Sequence, residues 1–215
     1  MDLDHVFVFV EPGGAVAQAR LAELGFVASF TRRHEGQGTA NCCYGFDNAY
    51  LELIWVEEPR LLSSATFART GLWEHATWRV SGASPFGVCV RSEHALPFAC
   101  WLWTPPYLPP GLFLEVSATS REPSTPFLFR FPGTTRPDRW TDDRAGSRQT
   151  AAGFAEITAL TLRDLPGGED LTGLTLDPAQ DPQTAILTLS RNDGGPPRHL
   201  LLPSFTWVDP PKAPN

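Results

Sequence analysis

The chain has 215 residues, 42% of them hydrophobic, which is enough to bury the core of one large domain or two small ones and too much for a disordered chain. Its 24 acidic residues outnumber 17 basic ones for a net charge of -7, and no basic run is present to neutralise a phosphate backbone, so nucleic acid is excluded as the expected partner. No apolar run approaches a membrane span, and the opening Met1-Asp2-Leu3-Asp4-His5 lacks the positive start of a secretory signal, so the expected location is the cytoplasm.

In chain order, Leu3 to Val10 is a short β-rich run, Glu11-Pro12-Gly13-Gly14 is a turn, and Ala15 to Leu24 is a helix with Ala17, Leu21 and Leu24 at i, i+4, i+7. Gly25 stands where a helix ends. Strands follow over Phe26 to Thr31, Thr39 to Phe46 and Ala49 to Val56, separated by turns at Gly36-Gln37-Gly38 and Asp47-Asn48. This unit reads β-α-β-β-β. A helix is expected around Leu61 to Arg69, then a strand from Phe86 to Arg91. The five prolines between Pro97 and Leu114 exclude regular helix there. Strands over Leu112 to Ala118 and Pro126 to Phe131 would complete a second unit that has lost its helix. Residues 132 to 150, rich in Arg, Asp, Thr, Pro and Gly, read as a linker or long surface loop. Four more strands are expected over Ile157 to Arg163, Leu171 to Leu176, Ala185 to Arg191 and His199 to Val208, before a frayed tail from Pro210. The fold class is α+β.

One residue is out of place in this pattern. Glu52 sits inside Tyr50-Leu51-Glu52-Leu53-Ile54-Trp55-Val56, where a carboxylate needs a compensating partner. Alternation puts Tyr50, Glu52, Ile54 and Val56 on one face of their strand, and Leu3, His5, Phe7 and Phe9 on one face of the first. Each face is otherwise apolar, so His5 and Glu52 are each expected to need a buried partner. Thr39 and Asn41 alternate onto one strand face, and His34 opens the glycine turn. Cys42 and Cys43 point to opposite faces and are expected, with Cys89 and Cys100, to be free thiols, since no spacing suggests a structural zinc. Trp101-Leu102-Trp103-Thr104-Pro105-Pro106-Tyr107-Leu108-Pro109-Pro110 reads as a rigid extended wall: a pocket lid, a homodimer contact, or a stiff connection packed on the core.

The β-α-β-β-β unit that opens Leu3-Asp4-His5 and closes Tyr50-Leu51-Glu52-Leu53 resembles the vicinal oxygen chelate superfamily. His34-Glu35-Gly36-Gln37-Gly38-Thr39-Ala40-Asn41 narrows the resemblance to its glyoxalase-like branch. The resemblance implies paired β-α-β-β-β units forming a half-open barrel over residues 1–135 (first unit 1–57, degenerate second unit 85–131), with a β-rich C-terminal segment over 150–208. It implies His5 and Glu52 facing a common pocket and holding a divalent metal (Mn, Fe, Ni or Zn) that two neighbouring substrate oxygens can chelate. His34 and Glu52 would be catalytic, with Thr39, Asn41, Tyr50 and Trp103 binding the small-molecule substrate. The second pair of metal ligands would fall near Phe86-Gly87 and Leu128-Phe129, none of which offers a ligand side chain, unless His34, His75, His94 or Glu115 substitutes. Three functions therefore stand side by side. One is a metal-dependent lyase, isomerase or dioxygenase; another is a ligand-sequestering protein in which His5 and Glu52 form a buried hydrogen-bonded pair around an organic anion or oxygen-rich guest. A β-rich interaction protein docking through the aromatic-proline segment is the third.

Overall fold

A computed structural model describes residues 1–131, 133–163, 171, 174–177 and 180–210. The first unit consists of β1 (Asp2–Phe9), α1 (Ala15–Glu23), β2 (Phe30–His34), β3 (Thr39–Gly45) and β4 (Tyr50–Val56). α1 starts where the Glu11 carboxylate accepts the free backbone N–H groups of Val16 and Ala17 at 2.7 and 3.1 Å. It buries Ala17 and Leu21.

The helix expected over 61–69 is instead a series of short pieces: α2 (Pro59–Leu62), a 3-10 turn at Ala68–Thr70, α3 (Leu72–Ala76) and α4 (Trp78–Ser81). Gly71 and Gly82, at φ of 68° and 76°, take the left-handed conformation that ends a helical turn. The second unit follows as β5 (Phe86–Arg91), β6 (Cys100–Trp103), β7 (Leu114–Ser117) and β8 (Phe127–Arg130), with irregular chain over 92–99 where the first unit has its helix.

These strands form one eight-stranded sheet in the order β2-β3-β4-β1-β5-β8-β7-β6. In both halves the opening strand runs parallel to the last, β1 beside β4 and β5 beside β8, and the halves join along the antiparallel β1·β5 seam. A second sheet, order β10-β9-β11-β12-β13, contains β9 (Phe154–Leu162), β10 (Leu174–Leu176), β11 (Ala185–Arg191), β12 (Arg198–Leu202) and β13 (Thr206–Val208). The single strand expected over 199–208 doubles back at 203–205, so that β12 and β13 pair antiparallel. Of the strand expected over 171–176, residues 172 and 173 lie outside the described residues, as does the tail 211–215.

Two hydrophobic clusters cover the two faces of the large sheet. Val6, Val8, Leu51 and Leu53 pack with Leu21 of α1 and with Leu160, Leu187 and Leu200 of the second sheet. On the other face Phe7, Phe9, Ile54, Phe127 and Phe129 pack with Leu62, Phe67 and Leu72. Leu3 lies in the first cluster and not beside Phe7 and Phe9 as simple alternation predicts. The β1·β5 pairing shifts register between Leu3 and His5, and such an irregularity reverses which side a residue faces.

Residues 133–148, expected to be a linker, form a strap against the β2–β3 edge. Asp143 takes the Arg32 guanidinium at 2.6 Å, Ser29 donates its hydroxyl to the Ser147 carbonyl, and the Gln149 amide bonds both the N–H and the carbonyl of Val27. Gly146 permits this approach, since a Cβ there would collide with the Ser29 carbonyl. Trp140, 9% exposed, packs edge-on against Phe30 and Tyr50.

Candidate functional site

The Phe7 face of the large sheet, the strap and the 103–109 segment enclose a cavity of about 480 Å³. That volume is within the usual range for small-molecule sites. Six of the seven residues singled out in the sequence reach its wall: His5, His34, Asn41, Tyr50, Glu52 and Trp103. Thr39 does not; it stands behind His34, its Oγ1 2.8 Å from His34 Nδ1.

The polar end is one connected network. His5 and Glu52 come together from β1 and β4, with Nε2 and Oε2 3.5 Å apart, and both residues are buried. His5 Nδ1 bonds Asp4 Oδ1 at 2.7 Å, and Asp4 Oδ2 receives the Arg91 guanidinium at 3.0 Å. Glu52 Oε1 accepts from Asn41 Nδ2 at 2.7 Å, and the same amide group lies 3.3 Å from His34 Nε2. The Asn41 orientation is fixed because its Oδ1 accepts the backbone N–H of Arg32, a group that can only donate. The carboxylate in a β-strand thus finds its compensation across three strands.

Aromatic rings hold both imidazoles. His5 stacks on Tyr50 with centroids 4.4 Å apart and meets the edge of Phe129 at 5.5 Å, while His34 stacks on Tyr107 at 4.8 Å. Burial lowers the His34 pKa against the opposing pull of the Glu52 charge, which keeps that ring neutral. Burial pushes the Tyr50 and Tyr107 phenols up, the Glu52 charge adding to both, so each stays a protonated donor. The aromatic-proline segment belongs to this wall through Trp103, Tyr107, Leu108 and Pro109. Trp101 carries the Arg69 guanidinium 4.2 Å over its ring, and Leu102 is exposed on the edge strand.

Sequence reasoning missed Asp4, Arg91, Tyr107 and the strap residues Trp140 and Arg144. Asp4 was detectable as an acid adjacent to the first-strand histidine, but alternation assigned it to the opposite face. Arg144 and Trp140 carry no signal of their own within a loop-like composition.

The donor set does not fit a metal held by ligands from both halves. Phe7 is opposite Glu52 in the β1·β4 pair and Cys89 is opposite Phe129 in the β5·β8 pair, so the second-half counterparts of His5 and Glu52 are Gly87 and Phe129. Neither offers a ligand atom. The space over Gly87 is filled by the Phe7 ring, into which a Cβ would collide. His75 is committed to the Ser84 carbonyl, Glu115 to Arg130, and His94 is exposed; none of them lines the cavity. Among the described residues Asp4, His5 and Cys89 do bring ligand-type atoms within 4.8 Å of one another. Both Asp4 oxygens are already taken, however, one by His5 and the other by the Arg91 guanidinium.

Two half-sheets joined along a seam, with one histidine–carboxylate cavity on their shared face, make up the large sheet of a mixed α+β protein. Residues 3–100 match the model of a family described as a glyoxalase-like domain, so the likeness to the vicinal oxygen chelate superfamily holds over the first unit, the short helices and β5. The match ends where β6 begins. A search of curated proteins gave no match. No helix among the described residues is long and apolar enough to cross a membrane.

Proposed function

We propose that the protein binds an organic small molecule in this cavity without a resident metal. Residues 1–135 would form a glyoxalase-like domain whose eight strands curl as a half-open barrel around the guest, backed by a β-rich segment over 150–208. The observation that carries this reading is the aromatic substitution of half the chelate: Gly87 and Phe129 stand where the second ligand pair would be, and Phe7 fills the gap. A metal-dependent lyase, isomerase or dioxygenase would have to hold its ion through His5 and Glu52, with His34 as the one further imidazole in reach and its Nε2 already facing the Asn41 amide at 3.3 Å, whereas catalytic sites commonly supply three protein ligands. The cavity instead combines a hydrogen-bonding end with an aromatic wall, the usual division of labour between orientation and affinity.

The test uses N-phenyl-1-naphthylamine, an uncharged apolar fluorophore. It is expected to bind at one site per chain with enhanced emission. Leu108→Trp, which fills the cavity from a partly exposed wall position, should abolish that binding while leaving the far-ultraviolet circular dichroism unchanged. Absence of saturable binding, or binding indifferent to the filling residue, would show that the cavity is not a binding site.

A further inference from the structure

The geometry points to a primary ammonium group on an aromatic or alkyl body as the guest, an inference that rests on the binding reading above. His5 Nδ1 is committed to Asp4 at 2.7 Å, so in the tautomer this bond favours the proton is on Nδ1 and the Nε2 lone pair faces the cavity. Glu52 Oε1 is occupied by Asn41, leaving Oε2 directed at the same space. Nε2 and Oε2 are 3.5 Å apart, too far for a good mutual hydrogen bond, and they present two acceptors side by side. A group with several donors satisfies both at once. An ammonium does so; a hydroxyl, with one proton, satisfies only one.

Charge selects in the same direction. The three guanidiniums along the cavity are each neutralised by an acid, Arg32 by Asp143 at 2.6 Å, Arg33 by Glu57 at 3.1 Å and Arg144 by Asp142 at 2.7 Å. Asp4 is matched by Arg91. Glu52 has the neutral Asn41 amide, an imidazole already shared with Asp4, and the His34 ring 3.9 Å away, whose pKa burial lowers, but no guanidinium or ammonium. A buried carboxylate in that position is stabilised by a cationic guest and destabilised by an anionic one. Phe7, Trp103, Leu114, Phe127 and Phe129 supply an apolar wall for the body that carries it. An organic anion or oxygen-rich guest is what the sequence alone predicts here; a cationic guest is proposed in its place.

The experiment displaces the bound uncharged fluorophore with three compounds of one shape, 2-phenylethylamine, 2-phenylethanol and 3-phenylpropionate, at neutral pH. The ammonium is expected to displace it at concentrations at least about tenfold below the alcohol, a difference of about 1.4 kcal/mol, with the carboxylate weakest. In Glu52→Gln, which keeps the shape and the Asn41 partner, with fluorophore affinity measured afresh for that variant, the amine-to-alcohol ratio of inhibition constants should fall towards one. An alcohol or carboxylate that competes as well as the amine overturns the inference, as does an amine preference that survives Glu52→Gln, or an amine that does not displace the fluorophore. Failure of the fluorophore itself to bind overturns the cavity reading instead, so the two failures are distinct.

Discussion

Replacing Asp4 by asparagine probes the deepest part of the network. The Asp4 side chain is almost fully buried, bonded to His5 Nδ1 at 2.7 Å and to Arg91 Nη1 at 3.0 Å. Asparagine has nearly the same shape but one oxygen, so it can keep an acceptor towards Arg91 only by turning its NH₂ to His5 Nδ1, which forces the other imidazole tautomer, or else face the guanidinium with a donor. Arg91 then keeps its bonds to the Leu3 and Asn48 carbonyls and loses its counter-charge. Removing one partner of a buried ion pair costs about 3–5 kcal/mol, and the partial exposure of Arg91 with its two remaining acceptors places this case near the lower figure, about 3 kcal/mol. The pH dependence separates this cause from a packing defect. Burial alone would raise the Asp4 pKa, but the hydrogen bond from His5, backed by the Arg91 guanidinium, outweighs it and holds the carboxyl below its ordinary value. A depressed carboxyl contributes its stability above the unfolded-state pKa and loses it as pH falls through the folded-state value. Urea unfolding followed by circular dichroism should therefore show the full gap between wild type and Asp4→Asn at neutral pH, with narrowing below about pH 4. A gap under about 1 kcal/mol, or one that is constant into strong acid, would refute the charge argument.

Three further outcomes are expected. Gly87→Ala forces the Phe7 ring aside and should cost about 1–3 kcal/mol in thermal or urea unfolding, much of it recovered in the Phe7→Leu background; a single variant as stable as wild type would remove the steric account. Glu52→Ala leaves Asn41 its contact with His34 Nε2, so stability should change by no more than about 1 kcal/mol while the amine preference disappears, and an unfolded variant would instead make the carboxylate structural. Elemental analysis of purified protein should find well under one divalent ion per chain; an ion present at one per chain, retained through dialysis and lost in His5→Ala, would move the protein to the metal-dependent branch.

The residues that local pattern could place were those whose neighbours repeat regularly. Alternation along β4 and along β1 from His5 to Phe9, with a glycine after α1, was enough to bring His5 and Glu52 to one face. The same rule failed at Asp4, because the register shift before His5 is set by the partner strand β5, about 85 residues away in the chain, and leaves no local mark. The β2 strand starts at Phe30, four residues later than its composition suggests, since the backbone of Val27 is occupied by Gln149 and Ser29 by the strap. The strap itself was illegible for a similar reason. Its arginines, aspartates and glycine look like solvent-exposed loop until their long-range partners Ser29, Arg32 and Val27 are known, and only then does Trp140 become part of a cavity wall.

The ring of Phe7 over Gly87 also constrains what this site can become. A ligating side chain introduced at position 87 collides with the ring, and trimming Phe7 to alanine first opens a hole among Phe9, Phe127 and Phe129 that costs about 3–5 kcal/mol. Either order of change passes through a less stable chain, and a third change at Phe129 is still needed before a second pair of ligands exists. The interlock acts as a ratchet: selection for a folded protein alone holds the aromatic state in place, and drift along this seam runs away from a chelating site far more easily than back towards one.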